Sequence, residues 1–421
     1  MSSSPPAFPA VSHRLPLLAL LTANGISQVG NTLTQIAVLW FVLQTTGSAT
    51  KAGFSAVFMA LPFAIAGVFG GALVDRLGFK LTSVLSDLAS GLAIMAIPLL
   101  YHTVGLAFWQ LLVLVFLGAV LDSPGEAARQ SLIPDLARLG NVRLERVNAA
   151  NEVVQRVTLL VGPLLAGVLI AVLGPSNVLW VDAATFAASA AMVAVAVPSA
   201  TRHAGETQEA PENYVKNLLE GLRFIYQDRL IRSLMITLSV VYAIGTSLLA
   251  VVMPVYVKSV FGSAMDLGLI LAGFGVGTIV GTLVFGAIGH RLPRLQTLTG
   301  ALFLAGIPLF VLAATPSVGL TAGALVFRGV VFGPVNPLAM TIYHEQIPAQ
   351  FRGRVFGTYM AMSAAVVALG MGLAGYLIET WGLHVTLLAM AALYFVASVS
   401  PLLNPALQGA NQPGAVRRPR S

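Results

Sequence analysis

The sequence predicts an all-α polytopic membrane protein, with twelve transmembrane helices arranged as two six-helix repeats. Three observations carry this. Of 421 residues, 57% are hydrophobic and only 9% are charged, whereas an ordinary soluble domain is roughly a quarter charged. A soluble enzyme, a disordered chain and a coiled coil are therefore excluded together. The apolar residues also gather into twelve stretches of bilayer-crossing length, which for a helix is ~20 residues. The last six stretches follow the first six in register. The segment from Gly71 to Lys80, between the second and third stretches, pairs with the segment from Gly286 to Leu295, between the eighth and ninth, at an offset of 215. The seventh stretch begins 216 residues after the first.

Charges, prolines and glycines bound the spans at 17–44, 52–74, 81–101, 105–124, 153–174 and 178–198, then 233–257, 266–289, 295–314, 318–342, 354–378 and 383–403. The uncharged run from Leu15 to Thr50 is too long for the apolar core of a signal peptide, so the first stretch is expected to remain as a span. The polar segment 199–232 divides the chain into an N-terminal bundle, 1–198, and a C-terminal bundle with a basic tail, 233–421. Within that segment Val215, Leu218, Leu219, Leu222, Ile225 and Tyr226 share one helical face, opposite Lys216, Glu220, Arg223 and Gln227. This suits a cytoplasmic helix lying in the membrane interface; a linker helix packed on protein is the alternative. The net charge of +7 reflects topology and not nucleic-acid binding. Of 23 Lys and Arg, twenty fall on the side of the termini, only Lys51 and Lys258 fall on the other, and Arg328 lies within a span. By the positive-inside rule both termini are expected in the cytoplasm, with the chain in a bacterial inner membrane.

Polar residues inside the spans are the candidate functional groups. Asn24, Gln28, Asn31 and Gln35 in span one fall within about a 60° sector of one helix face. Four amides facing lipid are unfavourable, so they are expected to bind substrate or to bond other helices. Tyr242 and Thr246, with Ser239, form a weaker stripe in span seven. Arg328, mid-way through span ten, costs ~3 kcal/mol on insertion scales. It is expected to pair with an acid or to face a wet cavity and the substrate.

The carboxylates proposed to couple protons are Asp87, roughly 9 Å inside span three by helical rise, Asp122 and Glu126 at the end of span four, and Glu152 entering span five. Asp122 and Glu126 share a face with Arg129, and Glu152 pairs with Arg156 at i, i+4; a structural ion-pair network at the membrane surface is the alternative. Gly273, Gly277 and Gly281 form a small-residue packing face. With no cysteine, no Gly-Lys dipeptide and no H-E-x-x-H, neither metal, cofactor nor enzymatic activity is expected, and a proton gradient is the expected energy source.

The decapeptide Gly71-Ala72-Leu73-Val74-Asp75-Arg76-Leu77-Gly78-Phe79-Lys80 resembles the signature loop of the major facilitator superfamily. Its second copy is degenerate, with His290 in the place of Asp75. The resemblance is closest to the bacterial efflux branch that includes macrolide exporters and the enterobactin exporter. It is carried by Gly25 to Asn31, Ser131 to Pro134, Asn148 to Asn151, Gly162 to Gly167 and Arg352 to Gly357. The resemblance implies a cavity lined by spans one, four, seven and ten. It also implies a latch between Asp75 and the start of span eleven near Gly353, holding the cytoplasmic side closed in the outward-open state. Gly71 and Gly78 would allow the loop's reversal, and Arg76, Lys80, Arg156 and Arg354 complete the expected gate. Asn31 stands where many relatives have an acid.

The expected function is proton-coupled efflux of an amphiphilic, drug- or siderophore-like small molecule, by a monomer whose other partner is the lipid bilayer. Solute uptake or lysolipid flipping is the alternative within the fold, and a non-transporting membrane sensor the alternative of another class.

Overall fold

The computed structural model describes residues 14–198, 214–314 and 317–403, with side chains described outside 63–76, 214–218, 349 and 400–403. The described backbone forms α1 (Leu15–Thr46), α2 (Ala49–Leu77), α3 (Phe79–Thr103), α4 (Phe108–Leu139), α5 (Leu144–Leu173), α6 (Pro175–Ala196), α7 (Tyr214–Gln227), α8 (Arg229–Ser247), α9 (Met253–Val260), α10 (Ala264–Ile288), α11 (Arg294–Ala313), α12 (Val318–Phe332), α13 (Val335–Gln346), α14 (Ala349–Trp381) and α15 (Leu383–Leu403). Each of the twelve expected spans falls on helix. Among the described residues, ten helical stretches are long and apolar enough to cross a membrane, and a shorter apolar helix covers Leu383–Val399. Leu92, Leu283, Leu369 and Val396 are all more than half exposed on the outside of the bundle. Such a surface is satisfied by lipid, and the chain is a multi-pass membrane protein.

Three boundaries differ from expectation. Residues 125–152, expected as a polar inner segment, are mostly helical: α4 continues past Pro124 and Pro134 to Leu139, and α5 begins at Leu144. Their charges did not signal a loop, because Arg129 is 2% exposed and bonded inside the bundle. It therefore does not count as a loop charge. Span seven is not a simple helix, since α8 passes through a π-helical turn, Leu248–Val252, into α9, with Pro254 just beyond. Span ten is broken at Gly333 and Pro334 between α12 and α13. The signature-loop reversal falls on Gly78 alone, at φ +78° between α2 and α3. Gly71 lies within α2, which corrects its expected share in the turn.

The helices of the N-terminal half, α1–α6, meet those of the C-terminal half, α8–α15, at the end of the bundle far from the termini. There α2 crosses α14 and α5 crosses α10. A Cβ on Gly53 would stand 2.9 Å from the Met371 carbonyl oxygen and 3.1 Å from the Gly375 Cα, and Gly167 faces Gly268 in the same way. Glu379 of α14 accepts from the Thr50 backbone N–H at 2.8 Å and from the Ser48 hydroxyl at 2.6 Å. It caps the start of α2 across the two halves. Lys258 lies 5.4 Å above the Trp40 ring centroid at the same end.

Helix α7 packs on protein, as the linker-helix alternative expects. One face packs on α14, with Ile225 buried, Phe224 stacked on Phe351 and Glu220 paired with Arg354. A second face leaves Leu219, Leu222 and Tyr226 exposed. The linker 199–213 and the basic tail lie outside the described residues.

Candidate functional site

A cavity of about 1120 Å³ lies between the two halves. The N-terminal half contributes Thr32 and Gln35 from α1, Met59 from α2, and Arg156 and Leu159 from α5. The C-terminal half contributes a wall that includes the aromatic residues Tyr242, Phe274, Phe332, Tyr343, Phe356 and Tyr359 and the methionines Met340, Met360 and Met371. Both helix irregularities border it, through Leu249, Ala250 and Pro254 at the π turn and Gly333 and Asn336 at the α12–α13 break. Freed backbone groups are tolerated at membrane depth where they line a cavity, and broken helices commonly shape transport sites. The lining runs from the glycine contacts toward Tyr343, His344 and Phe356, near the terminal end of the bundle.

The expected substrate stripe divides. Gln35, Tyr242 and Thr246 line the cavity, and so does Arg156, expected in the gate. Asn24 instead donates to Asn151 Oδ1 at 3.2 Å, and Asn31 donates to Asp122 Oδ2 at 2.8 Å. Both therefore bond to neighbouring helices. Gln28 is half-buried and outside the lining. The four amides share a face, but α5 and α4 cover the lower part of it while the cavity begins only at Thr32.

Arg328 corrects both expectations made for it. It is buried yet outside the cavity lining, and among the described residues it forms no ion pair. Its Nη1 donates to the Ala305 carbonyl, and its guanidinium lies 4.9 Å from the Tyr394 ring centroid. A carbonyl and an aromatic face compensate it in place of an acid.

The expected carboxylates separate by depth. Asp87 is fully buried, accepting from Arg129 Nη1 at 2.6 Å and from the Ser189 hydroxyl at 2.6 Å. Arg129 Nη2 also reaches Asp122 at 3.4 Å. A chain of polar contacts thus links α6, α3, α4 and α1 through Ser189, Asp87, Arg129, Asp122 and Asn31. Glu126 is half-buried beside this chain, whereas Glu152 is exposed, in a 2.7 Å pair with Arg156.

Of the expected gate, the side chains of Asp75 and Arg76 lie outside the described residues. Gly353 is exposed in the second turn of α14, whose start is Ala349 and not Gly353. Arg354 is paired with Glu220, and Lys80 is half-buried at the start of α3.

Sequence reasoning missed the wall of Tyr343 and Tyr359, which nothing in a run of apolar residues distinguishes from core. It also missed Asp182, fully buried in α6 and hydrogen-bonded by Thr34 and Thr185. Here a signal was present, since Asp182 is the one charged residue between Arg156 and Arg202.

The model of a family described as transmembrane secretion effector matches residues 14–412. The chain belongs to the transmembrane secretion effector family. The chain is 31% identical over 400 residues to the multidrug efflux pump Tap of Mycolicibacterium fortuitum, covering 94% of the chain and 97% of the relative. It is 21% identical over 409 residues to macrolide efflux protein A of Streptococcus pyogenes, covering 93% and 96%. Among solved structures, the nucleoside transporter NupG superposes with a TM-score of 0.76 at 10% identity, covering 91% of this chain and 98% of that one. The protein therefore has the fold of a major facilitator transporter, with its cavity between the two halves.

Proposed function

We propose that this protein exports bulky amphiphilic drugs across a bacterial inner membrane in exchange for protons, as a monomer with both termini in the cytoplasm. The observation that carries the reading is the aromatic and methionine-walled cavity between halves that touch at one end. Its size suits a drug, and its methionines and tyrosines can repack around different apolar shapes while hydroxyls and Gln35 serve the polar groups. The drug-exporting relatives support this class of cargo. With the termini cytoplasmic, the cavity opens inward and the glycine contacts close the outer side. Rocking of 1–198 against 233–421 would part Gly53 from Gly375 and release Glu379 from the start of α2. Asp87 and Asp122 share Arg129, so protonating either carboxyl loosens the link from α3 and α4 to Asn31 on α1.

The test uses proteoliposomes holding the full chain and a labelled macrolide. A pH gradient should drive macrolide accumulation, and Tyr359→Ala and Gln35→Leu should raise the apparent KM with protein yield retained. Macrolide movement indifferent to the gradient and to both variants would refute the reading.

A further inference from the structure

Asp182 is used by neither the cavity nor the Arg129 cluster. It is fully buried where α6 packs on α1 and α3, and among the described residues it forms no ion pair. Its partners are hydroxyls. Thr34 of α1 donates to Oδ2. The Thr185 Oγ1 lies 2.8 Å from the Asp182 carbonyl oxygen and 3.0 Å from Oδ1. A threonine hydroxyl has one proton to donate and two lone pairs to accept with. Thr185 has one proton to share between that carbonyl and Oδ1, so it serves a carboxylate only in part, whereas a protonated carboxyl can itself donate to the Thr185 oxygen. Every polar atom of the site is satisfied with the acid neutral. A carboxylate there would be an uncompensated charge in a dry helix seam.

The surrounding ionisable groups supply no cation. Helix α1 carries none from Leu15 to Thr46. Helix α3 presents Asp87, already held by Arg129 and Ser189, with Lys80 and His102 at its two ends. On α5, Glu145, Arg146, Glu152 and Arg156 make no bond to Asp182. Asp122 of α4 adds a second negative group behind Asn31. The seam is also mechanically connected: α1 holds Asp182 through Thr34, lines the cavity through Thr32 and Gln35, and meets Lys258 of the other half through Trp40.

We propose that Asp182 is a proton-binding site of the transport cycle, protonated while α1 and α6 pack as here and deprotonated when α1 shifts and admits water. While the cavity is still open to the cytoplasm the Oδ1–H bond breaks, the proton passes to that water and leaves on the cytoplasmic side, and the site reloads from the outer side once the halves have rocked. This deepens the proton-driven export reading and rests on it for the direction of proton flow.

The test has a spectroscopic arm that needs no cargo. Infrared difference spectra of the purified full chain across a pH titration should show the carbonyl stretch of a buried carboxylic acid. That band should be lost in Asp182→Asn and retained in Asp87→Asn. Thr34→Val keeps the acid but removes the hydroxyl on Oδ2, so the band should move to higher frequency even if Asp182→Asn fails to fold. In proteoliposomes, Asp182→Asn should lose gradient-driven macrolide accumulation but keep counterflow exchange, with Asp182→Glu recovering part of the loss. An acid band absent from the wild type, or unmoved by both substitutions, overturns the proposal, as does gradient-driven accumulation by Asp182→Asn at the wild-type rate. Failure of the wild type to move the macrolide at all counts against the export reading alone, because the infrared arm still decides the proton site.

Discussion

Two arginines are buried among the described residues, and their surroundings predict opposite responses to mutation. Arg129 is clamped between Asp87 and Asp122. Removing it leaves buried carboxylates uncompensated, so Arg129→Ala should lower stability by about 3–5 kcal/mol. Asp87→Asn in the same chain should restore much of that, and thermal melting in detergent reads both. Among the described residues, Arg328 meets a carbonyl and the Tyr394 side chain but no acid. Arg328→Met keeps the volume and sheds a charge whose burial is costly, so its melting temperature should equal or exceed that of the wild type. Arg328→Ala should melt lower, because the truncated side chain leaves a cavity. Macrolide transport by Arg328→Met should persist, since the residue lies outside the cavity lining. A transport-dead, stable Arg328→Met protein would give the guanidinium a role beyond packing.

At the scale of elements, the proposed outer closure is built from helix crossings and a helix cap. Glu379 places a carboxylate on the first turn of α2, an interaction worth ~0.3–1 kcal/mol at an exposed helix start. Glu379→Gln should therefore shift the balance between inward- and outward-open states modestly without unfolding the protein. The chain has no cysteine, so a Ser48→Cys, Glu379→Cys double substitution reports on this contact alone. Oxidative or bifunctional cross-linking of the pair should lock the outer end, stop macrolide transport and leave cytoplasmic-side binding intact, with reduction restoring transport. Transport that continues in the cross-linked protein would show that this seam stays closed throughout the cycle.

For the whole molecule, the proposed inward opening and cytoplasmic termini together make a prediction about sidedness. A single cysteine at Met360, which lines the cavity, should react with an impermeant thiol reagent in inside-out vesicles and be protected in right-side-out cells. Saturating macrolide should slow the reaction. The reverse sidedness would invert the topology, and with it the assignment of the glycine crossings to the outer gate.

Composition and periodicity alone determined the architecture: too few charges for water, twelve apolar stretches of bilayer length, and a repeat in register. Lipid requires backbone satisfaction within each span, so hydropathy reports helices almost directly. Gln35, Tyr242 and Thr246 were legible as polar groups inside spans, which must face protein or water, and it was the family resemblance that placed those spans at a cavity. Which neighbour each polar group meets was decided only by tertiary packing. Asn31 could equally have met cargo, and it meets Asp122 because α4 covers that part of α1. Arg129 carried the sign of a loop charge and became the centre of a buried cluster, since two carboxylates from α3 and α4 reach it. The breaks at Leu248–Val252 and Gly333–Pro334 shape the cavity, yet a local reading runs through both. Their cost becomes acceptable only where the freed backbone faces the space between the two halves, and that space exists only once the halves have come together.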